Sequence, residues 1–405
     1  MRRFLSSPIP LCLLCIAIIT TVLYWRRPDA FYNPQLWAED GSVFFSDALK
    51  WGSGSIFLPM AGYFHIIARF VAWMGRWLPY RYAPLWYVFI SWGILSSIVV
   101  YIFSTRFPFS LGIKFLLGLT LVITTVDNEV FLNLANLAFL SAFFWLLLAI
   151  SNEPRSGLEV LFDILLLVLT GLNTPFAVCL WLLFLVRWRI RLTRHSLILF
   201  LLSLAVAGIQ FLNMPQRMQS VGVPPNLMLI YADLLVYRFG FMFLGEQFFR
   251  LTLSDSLRIY GLVLMGIFYG SLFWLAIKGR SWESLALLIG GILTWALSLY
   301  VIRRDPASWI HAGGRHVFVP TITLAWALLL LDFKAKYLKW GILCAMFIAF
   351  LFFTPYDKKE LRPDLKWTDH VEWCVKKKKP NCKIPINPIW DPPIWFAVIP
   401  SPHRQ

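Results

Sequence analysis

Three carboxylates stand close together in QLWAEDGSVFFSDALKWG, residues 35–52: Glu39, Asp40 and Asp47. A carboxylate with a tuned pKa can take the proton from a hydroxyl nucleophile, so the adjacent pair Glu39-Asp40 is the first candidate for general-base chemistry. Near a membrane a carboxylate costs free energy unless it is solvated or paired, so the same pair also reads as a solvated loop. Asp47 lies about two helical turns beyond Asp40. It reads as a surface charge or an i,i+3 partner of Lys50.

Cations that could face such a base occur in RRDPASWIHAGGRHVFVP, residues 303–320. Arg binds phosphate in a bidentate manner. Arg303, Arg304 and Arg315 are therefore either phosphate ligands or arginines that reach to lipid head groups. His311 and His316 could hydrogen-bond a sugar or a phosphate, or serve structure. A third group, TVDNEVFLNLANLAF at 125–139, carries Asp127, Asn128, Glu129, Asn133 and Asn136. Asparagines in an apolar setting need partners, so these read as helix–helix contacts or sugar contacts. His65 and Arg69, in PMAGYFHIIARFVAWMGRWLP at 59–79, could face a phosphate. Glu39, Asp40, Asp127 and Glu129 could hold a divalent cation with waters, although no spacing requires a metal or any other cofactor.

The elements that must position these groups follow from composition. The chain has 405 residues, of which 59% are hydrophobic and 14% charged. Soluble domains are about half apolar and about a quarter charged. This one is an integral membrane protein, and its apolar runs have the length of membrane helices rather than of barrel strands. About eleven spans are expected: 8–24, 84–105, 109–126, 132–150, 158–172, 174–187, 195–213, 259–277, 285–302, 317–332 and 340–356. The fifth and sixth, split by GLNTP, read as a re-entrant or broken pair. The first is read as a retained helix rather than a cleaved signal, because no small-residue cleavage site follows it.

Arg and Lys in the short loops place the N-terminus in the cytoplasm, and an odd number of spans places the C-terminus outside. The long segments 25–83 and 214–258 would then be outer loops with interfacial helices. The tail, 357–405, would be a small ordered outer cap on a membrane domain of residues 1–356. Cys374 and Cys382, in CVKKKKPNC, would form a disulfide there. The net charge of +16 points to lipid head groups, phosphates or acidic glycolipids rather than nucleic acid. Gly-rich phosphate loops, paired CxxC motifs and HExxH are absent.

The combination of WAEDGSVFFSDA, GYFHIIARF and GGRHVFVP with this topology resembles the GT-C superfamily. These are integral membrane glycosyltransferases that use polyprenyl-phosphate sugars, and the likeness is to the bacterial branch that includes O-antigen glucosyltransferases. It covers the architecture of residues 1–356, and the tail has no counterpart. The family order is often Asp-Glu, whereas this chain has Glu39-Asp40. The resemblance implies a GT-C-like all-α polytopic fold in a bacterial inner membrane. It also implies a polyprenyl-phosphate sugar donor, a glycan or lipid-linked acceptor such as O-antigen, and inversion at the sugar. Asp40 would be the base and Glu39 its assistant, with Arg315 and Arg304 on the donor phosphate. A flippase for lipid-linked saccharides and a polysaccharide polymerase are the other readings. A transporter would line its path with charges inside the spans, where Asp163 is the clearest.

Overall fold

The computed structural model describes residues 8–124, 128–214, 226–244, 254–302, 314–331, 336–357, 362–388 and 395–400. The helices are α1 Pro8–Arg26, α2 Pro28–Tyr32, α3 Ser46–Trp51, α4 Ile66–Gly75, α5 Ala83–Phe103 and α6 Leu111–Thr120. They continue with α7 Leu137–Ile150, α8 Gly157–Gly171, α9 Ala177–Arg191, α10 Arg194–Asn213 and α11 Leu227–Leu244. The last are α12 Asp255–Lys278, α13 Trp282–Ile302, α14 Arg315–Leu330, α15 Lys336–Asp357 and α16 Trp367–Lys376, and the strands are β1 Cys382–Pro385 and β2 Phe396–Ile399. Among the described residues five stretches are long and apolar enough to cross a membrane: Pro8–Arg26, Tyr80–Phe103, Arg194–Asn213, Asp255–Lys278 and Trp282–Ile302. The protein is mostly helical and membrane-embedded in character. Each of the eleven expected spans contains a helix.

The core is built on α7 and α14. Every residue of α7 is buried, and so is nearly all of α14. A helix that is apolar all round has no face for water and belongs inside a bundle. Indole N–H groups tie the bundle together. Trp145 donates to the Leu167 carbonyl of α8 at 3.0 Å, and Trp326 donates to Thr120 Oγ1 of α6 at 2.8 Å. A Cβ at Gly171 would come within 2.3 Å of the Trp145 ring, so that contact requires glycine.

Two expected spans are shorter than their apolar runs. In place of 109–126 and 132–150 stand α6, of ten residues, and α7, of fourteen. Between them the described backbone is irregular, Leu132 has φ of 61°, and residues 130–136 are all buried. Irregular backbone is tolerated at membrane depth only where protein satisfies its polar groups. Here the side chains of Arg26, Arg27, Asn133 and Asn136 do so. Hydropathy cannot see this, because the run is as apolar as a helix. The fifth and sixth spans are separate helices, α8 and α9, of fifteen residues each. Their connection holds α4: Asn173 Oδ1 accepts the N–H groups of Ile67 and Ala68 at 3.1 and 3.2 Å.

The tail packs on the membrane domain instead of standing apart. β1 and β2 pair antiparallel, with Cys382 opposite Ile399, and Cys374 is disulfide-bonded to Cys382. Trp367, Val371, Ile384 and Ala397 join the main core. The Trp367 indole donates to the Tyr80 carbonyl at 3.1 Å, and the Val398 N–H donates to Ser46 Oγ at 2.8 Å. The cap thus covers the stretch that carries Glu39 and Asp40.

Candidate active site

Asp40 opens a π-helical turn, Asp40–Phe45, that runs directly into α3. Ala38, at φ of 31°, turns the chain into it, and the Asp40 N–H donates to the Trp37 carbonyl at 2.6 Å. Gly41 allows the cap to approach: a Cβ there would lie 2.5 Å from Ile386 Cδ1. Glu39 is half-buried, and Asp40 is only 1% exposed. The Asp40 carboxylate accepts the Ala135 N–H at 2.9 Å, and Tyr87 of α5 lies buried within electrostatic reach. Burial pushes the Asp40 pKa up to about 7. The Ala135 N–H and the Arg362 cation oppose that rise, and the Glu39 charge adds to it. Asp40 is therefore a carboxyl group poised to exchange a proton near neutral pH.

The segment that holds Asp40 also reaches Arg315. Glu129, on the one-turn helix Asn128–Val130, pairs with the Arg315 guanidinium at the first residue of α14. The Glu129 carbonyl accepts Asn136 Nδ2 at 2.7 Å and Asn133 Nδ2 at 2.5 Å. Arg26 Nε donates to Asn128 Oδ1 at 2.7 Å, and Asn128 Nδ2 returns a bond to the Arg26 carbonyl at 3.1 Å. The asparagines are thus engaged with the chain itself. Beside them Arg27 grips Asp29 through two bonds, of 3.1 and 2.8 Å. Its partner and its own burial set the balance at Asp29: burial pushes the carboxyl pKa up, and Arg27 draws it below the usual range.

Arg362 completes the cluster. It comes from the tail, is buried, and lies over the Trp37 ring at 4.2 Å from its centroid. Burial and the Arg27 cation push its pKa down, while Asp29, Asp40 and Glu129 support its charge. Alternating charges of this kind let several buried ions coexist, since removal of one partner leaves another uncompensated.

The other expected residues have different surroundings. Arg69 Nη1 is paired with Asp47 Oδ2 at 3.0 Å. This corrects the reading of Asp47 as a surface charge or Lys50 partner; Lys50 instead lies over the Trp51 ring, at 4.5 Å. His65 is fully buried between Tyr63 and Phe44, at centroid distances of 4.1 and 5.4 Å. Neither ring nitrogen has a hydrogen-bond partner. Burial, and then the Arg69 cation, push its pKa down to about 3, so the ring is neutral. His316 meets the Phe139 ring at 6.0 Å and lines a cleft with Arg238, Trp295 and Ser298. Arg303, Arg304, His311 and Asp127 lie outside the described residues. Among the described residues no group of three or more His, Cys, Asp or Glu could hold a metal ion.

Sequence reasoning missed Arg362, Arg27 and Asp29. Arg26-Arg27 directly after the first span was a signal for the latter pair. Arg362 in ELRPDLKW had none, since only the fold of the cap brings it to Asp40. No family model, curated protein or solved structure matches the chain.

Proposed function

We propose that this protein is a GT-C-like glycosyltransferase that moves a sugar from a polyprenyl-phosphate donor to a cell-surface glycan or a lipid-linked glycan. One observation carries the reading: a buried aspartate with its pKa near neutral, beside arginines, at one end of a membrane bundle. The resemblance of WAEDGSVFFSDA, GYFHIIARF and GGRHVFVP to the O-antigen glucosyltransferase branch supports it. The setting proposed is the outer side of a bacterial inner membrane, with the N-terminus in the cytoplasm and the cap in the periplasm.

In the reaction, ionised Asp40 takes the proton of an acceptor hydroxyl. The oxygen lone pair attacks the anomeric carbon, the bond from that carbon to the phosphate oxygen breaks, and polyprenyl phosphate leaves with the bonding electrons. One displacement with no enzyme nucleophile inverts the anomeric centre. Glu39 orients the acceptor. Arg315, now on the Glu129 carboxylate, exchanges that anion for the phosphate and stabilises its growing charge. Donors placed in a water-poor site are effective because they need no reorganisation as charge develops.

The test is mass spectrometry of surface polysaccharide from cells lacking the gene, complemented with wild type or Asp40→Asn at equal expression. The expected result is one sugar mass per repeat restored by wild type alone. Equal restoration by both forms removes Asp40 from the chemistry. A change in chain length or export without a change in repeat mass favours the polymerase or the transporter.

A further inference from the structure

Two buried donors near the end of α13 have no partner. Trp295 is 6% exposed and Ser298 3%, yet neither the indole Nε1 nor the hydroxyl Oγ makes a hydrogen bond. They stand at i and i+3 and so share one face of the helix. Both line a partly open cleft of about 220 Å³ between α11, α13 and α14. A polar group kept from water and left unbonded costs free energy, and most such groups in folded proteins are satisfied. A ligand in the cleft would satisfy these two.

The rest of the lining says what kind of ligand fits. Arg238 of α11 is buried, carries a positive charge and can only donate, as an indole can. His316 of α14 adds a ring nitrogen, and among the described residues that line the cleft none is acidic. The first turn of α14 forms one wall, and a helix N-terminus favours an anion. The last carbonyls of α13 would oppose one, but the Leu299 carbonyl is engaged by the Tyr231 hydroxyl of α11 at 2.6 Å. That bond also holds α11 to α13, and the Arg258–Asp233 pair holds α11 to α12. The remaining wall is aliphatic. Beside it Val301 of α13 and Ile259, Val263 and Ile267 of α12 are exposed, in a chain of membrane-embedded character.

We propose that this cleft binds a phosphate group carried by a lipid, with Trp295 Nε1, Ser298 Oγ and the Arg238 guanidinium donating to its oxygens and the lipid chain lying on the exposed aliphatic surface. The site is separate from Asp40 and does not depend on the transfer chemistry proposed there. His316 follows Arg315, so the phosphate would sit on the helical turn that carries the partner of Glu129. A polyprenyl phosphate and a membrane phospholipid both present this chemistry, and the experiment separates them.

The full-length protein is purified in detergent and stripped of lipid, as wild type, Ser298→Ala and Trp295→Phe. Native mass spectrometry measures its affinity for a polyprenyl phosphate and for phosphatidylglycerol, with polyprenol and diacylglycerol as phosphate-free counterparts. Wild type should bind at least one of the two phosphates more tightly than its counterpart, and the tighter one names the source. Each substitution should weaken that binding by about tenfold. Ser298→Ala removes no bond that the lipid-free protein makes, so its thermal midpoint should stay or rise, which keeps the test readable if Trp295→Phe loses packing. An affinity left unchanged in folded Ser298→Ala overturns the proposal. So does equal binding of the phosphate-free counterparts, and so does inorganic phosphate that binds as tightly as either lipid. None of these readouts uses transfer, so this site and the glycosyltransferase reading can fail separately.

Discussion

At the residue scale the decisive quantity is the proton on Asp40. Burial raises its pKa to about 7, so the basic form is scarce below that pH and dominant above it. On the proposed glycosyltransferase reading the transfer rate is therefore expected to rise with pH through about 7 and then level off, a profile that steady-state kinetics on purified protein would read. Asp40→Asn should lower the rate by about 10²–10⁴-fold. The same shift has a stability consequence. A carboxyl whose folded pKa lies above its unfolded value favours folding while it is protonated, and that contribution is lost as pH rises toward about 7. Asp40→Asn should accordingly raise the thermal midpoint at pH 8 by more than at pH 4; an equal effect at both would rule this account out. His65 gives the contrasting case. Its ring is buried, neutral and unbonded, and such a group costs about 1–3 kcal/mol. His65→Phe is expected to keep or raise the melting temperature and to leave transfer within a few-fold of wild type.

At the element scale the site depends on how the cap meets the π-helical turn. Gly41→Ala would drive a methyl group against Ile386 and Ala397. A cost of about 1–3 kcal/mol is expected, with transfer lost in parallel as the cap lifts. Denaturant unfolding, together with activity on the same samples, would show whether the two fall together. The disulfide between Cys374 and Cys382 closes a short loop and limits the unfolded cap, an effect worth about 2–3 kcal/mol in the chain-entropy account. Cys382→Ser should make the cap the first part cleaved by protease, before the helical bundle. Neither the acidic pair nor the cysteines announce this coupling by spacing. They were legible as residues, whereas their contact depends on the β1–β2 pairing and on Ile386, Asn387 and Val398 meeting the turn at 38–46.

At the scale of the whole molecule a second charged cluster marks the opposite end of α5. Arg106 grips Asp163 with bonds of 2.9 and 2.7 Å, and His195 bridges Asp163 and Glu153 at 3.1 Å each. Arg187 reaches Glu153 at 2.9 Å and the Leu148 and Ser151 carbonyls at 2.6 and 2.7 Å. Asp163, the charge that the transporter reading singled out, is thus satisfied by neighbours from other elements. Breaking a buried pair of this kind costs about 3–5 kcal/mol. Asp163→Asn should reduce the yield and melting temperature of the protein while leaving transfer per folded molecule near wild type. Substrate transport abolished in a well-folded Asp163→Asn protein would instead revive the transporter reading.

Composition and hydropathy alone determined that the chain is a helical membrane protein, because 59% apolar residues in span-length runs have no soluble solution. They also located eleven helical regions, since apolar length is a local property. The residue types at Glu39-Asp40 and Arg315 were enough to raise acid–base and phosphate chemistry. Only the tertiary structure decided that residues 130–136 leave the helix, because distant side chains satisfy backbone groups there, Arg27 at the Phe131 carbonyl and Asp40 at the Ala135 N–H. Only it decided that Arg69 belongs to Asp47 and that the tail supplies Arg362. Burial and charge pairing act through space between segments hundreds of residues apart, and a pattern read along the chain carries no term for them.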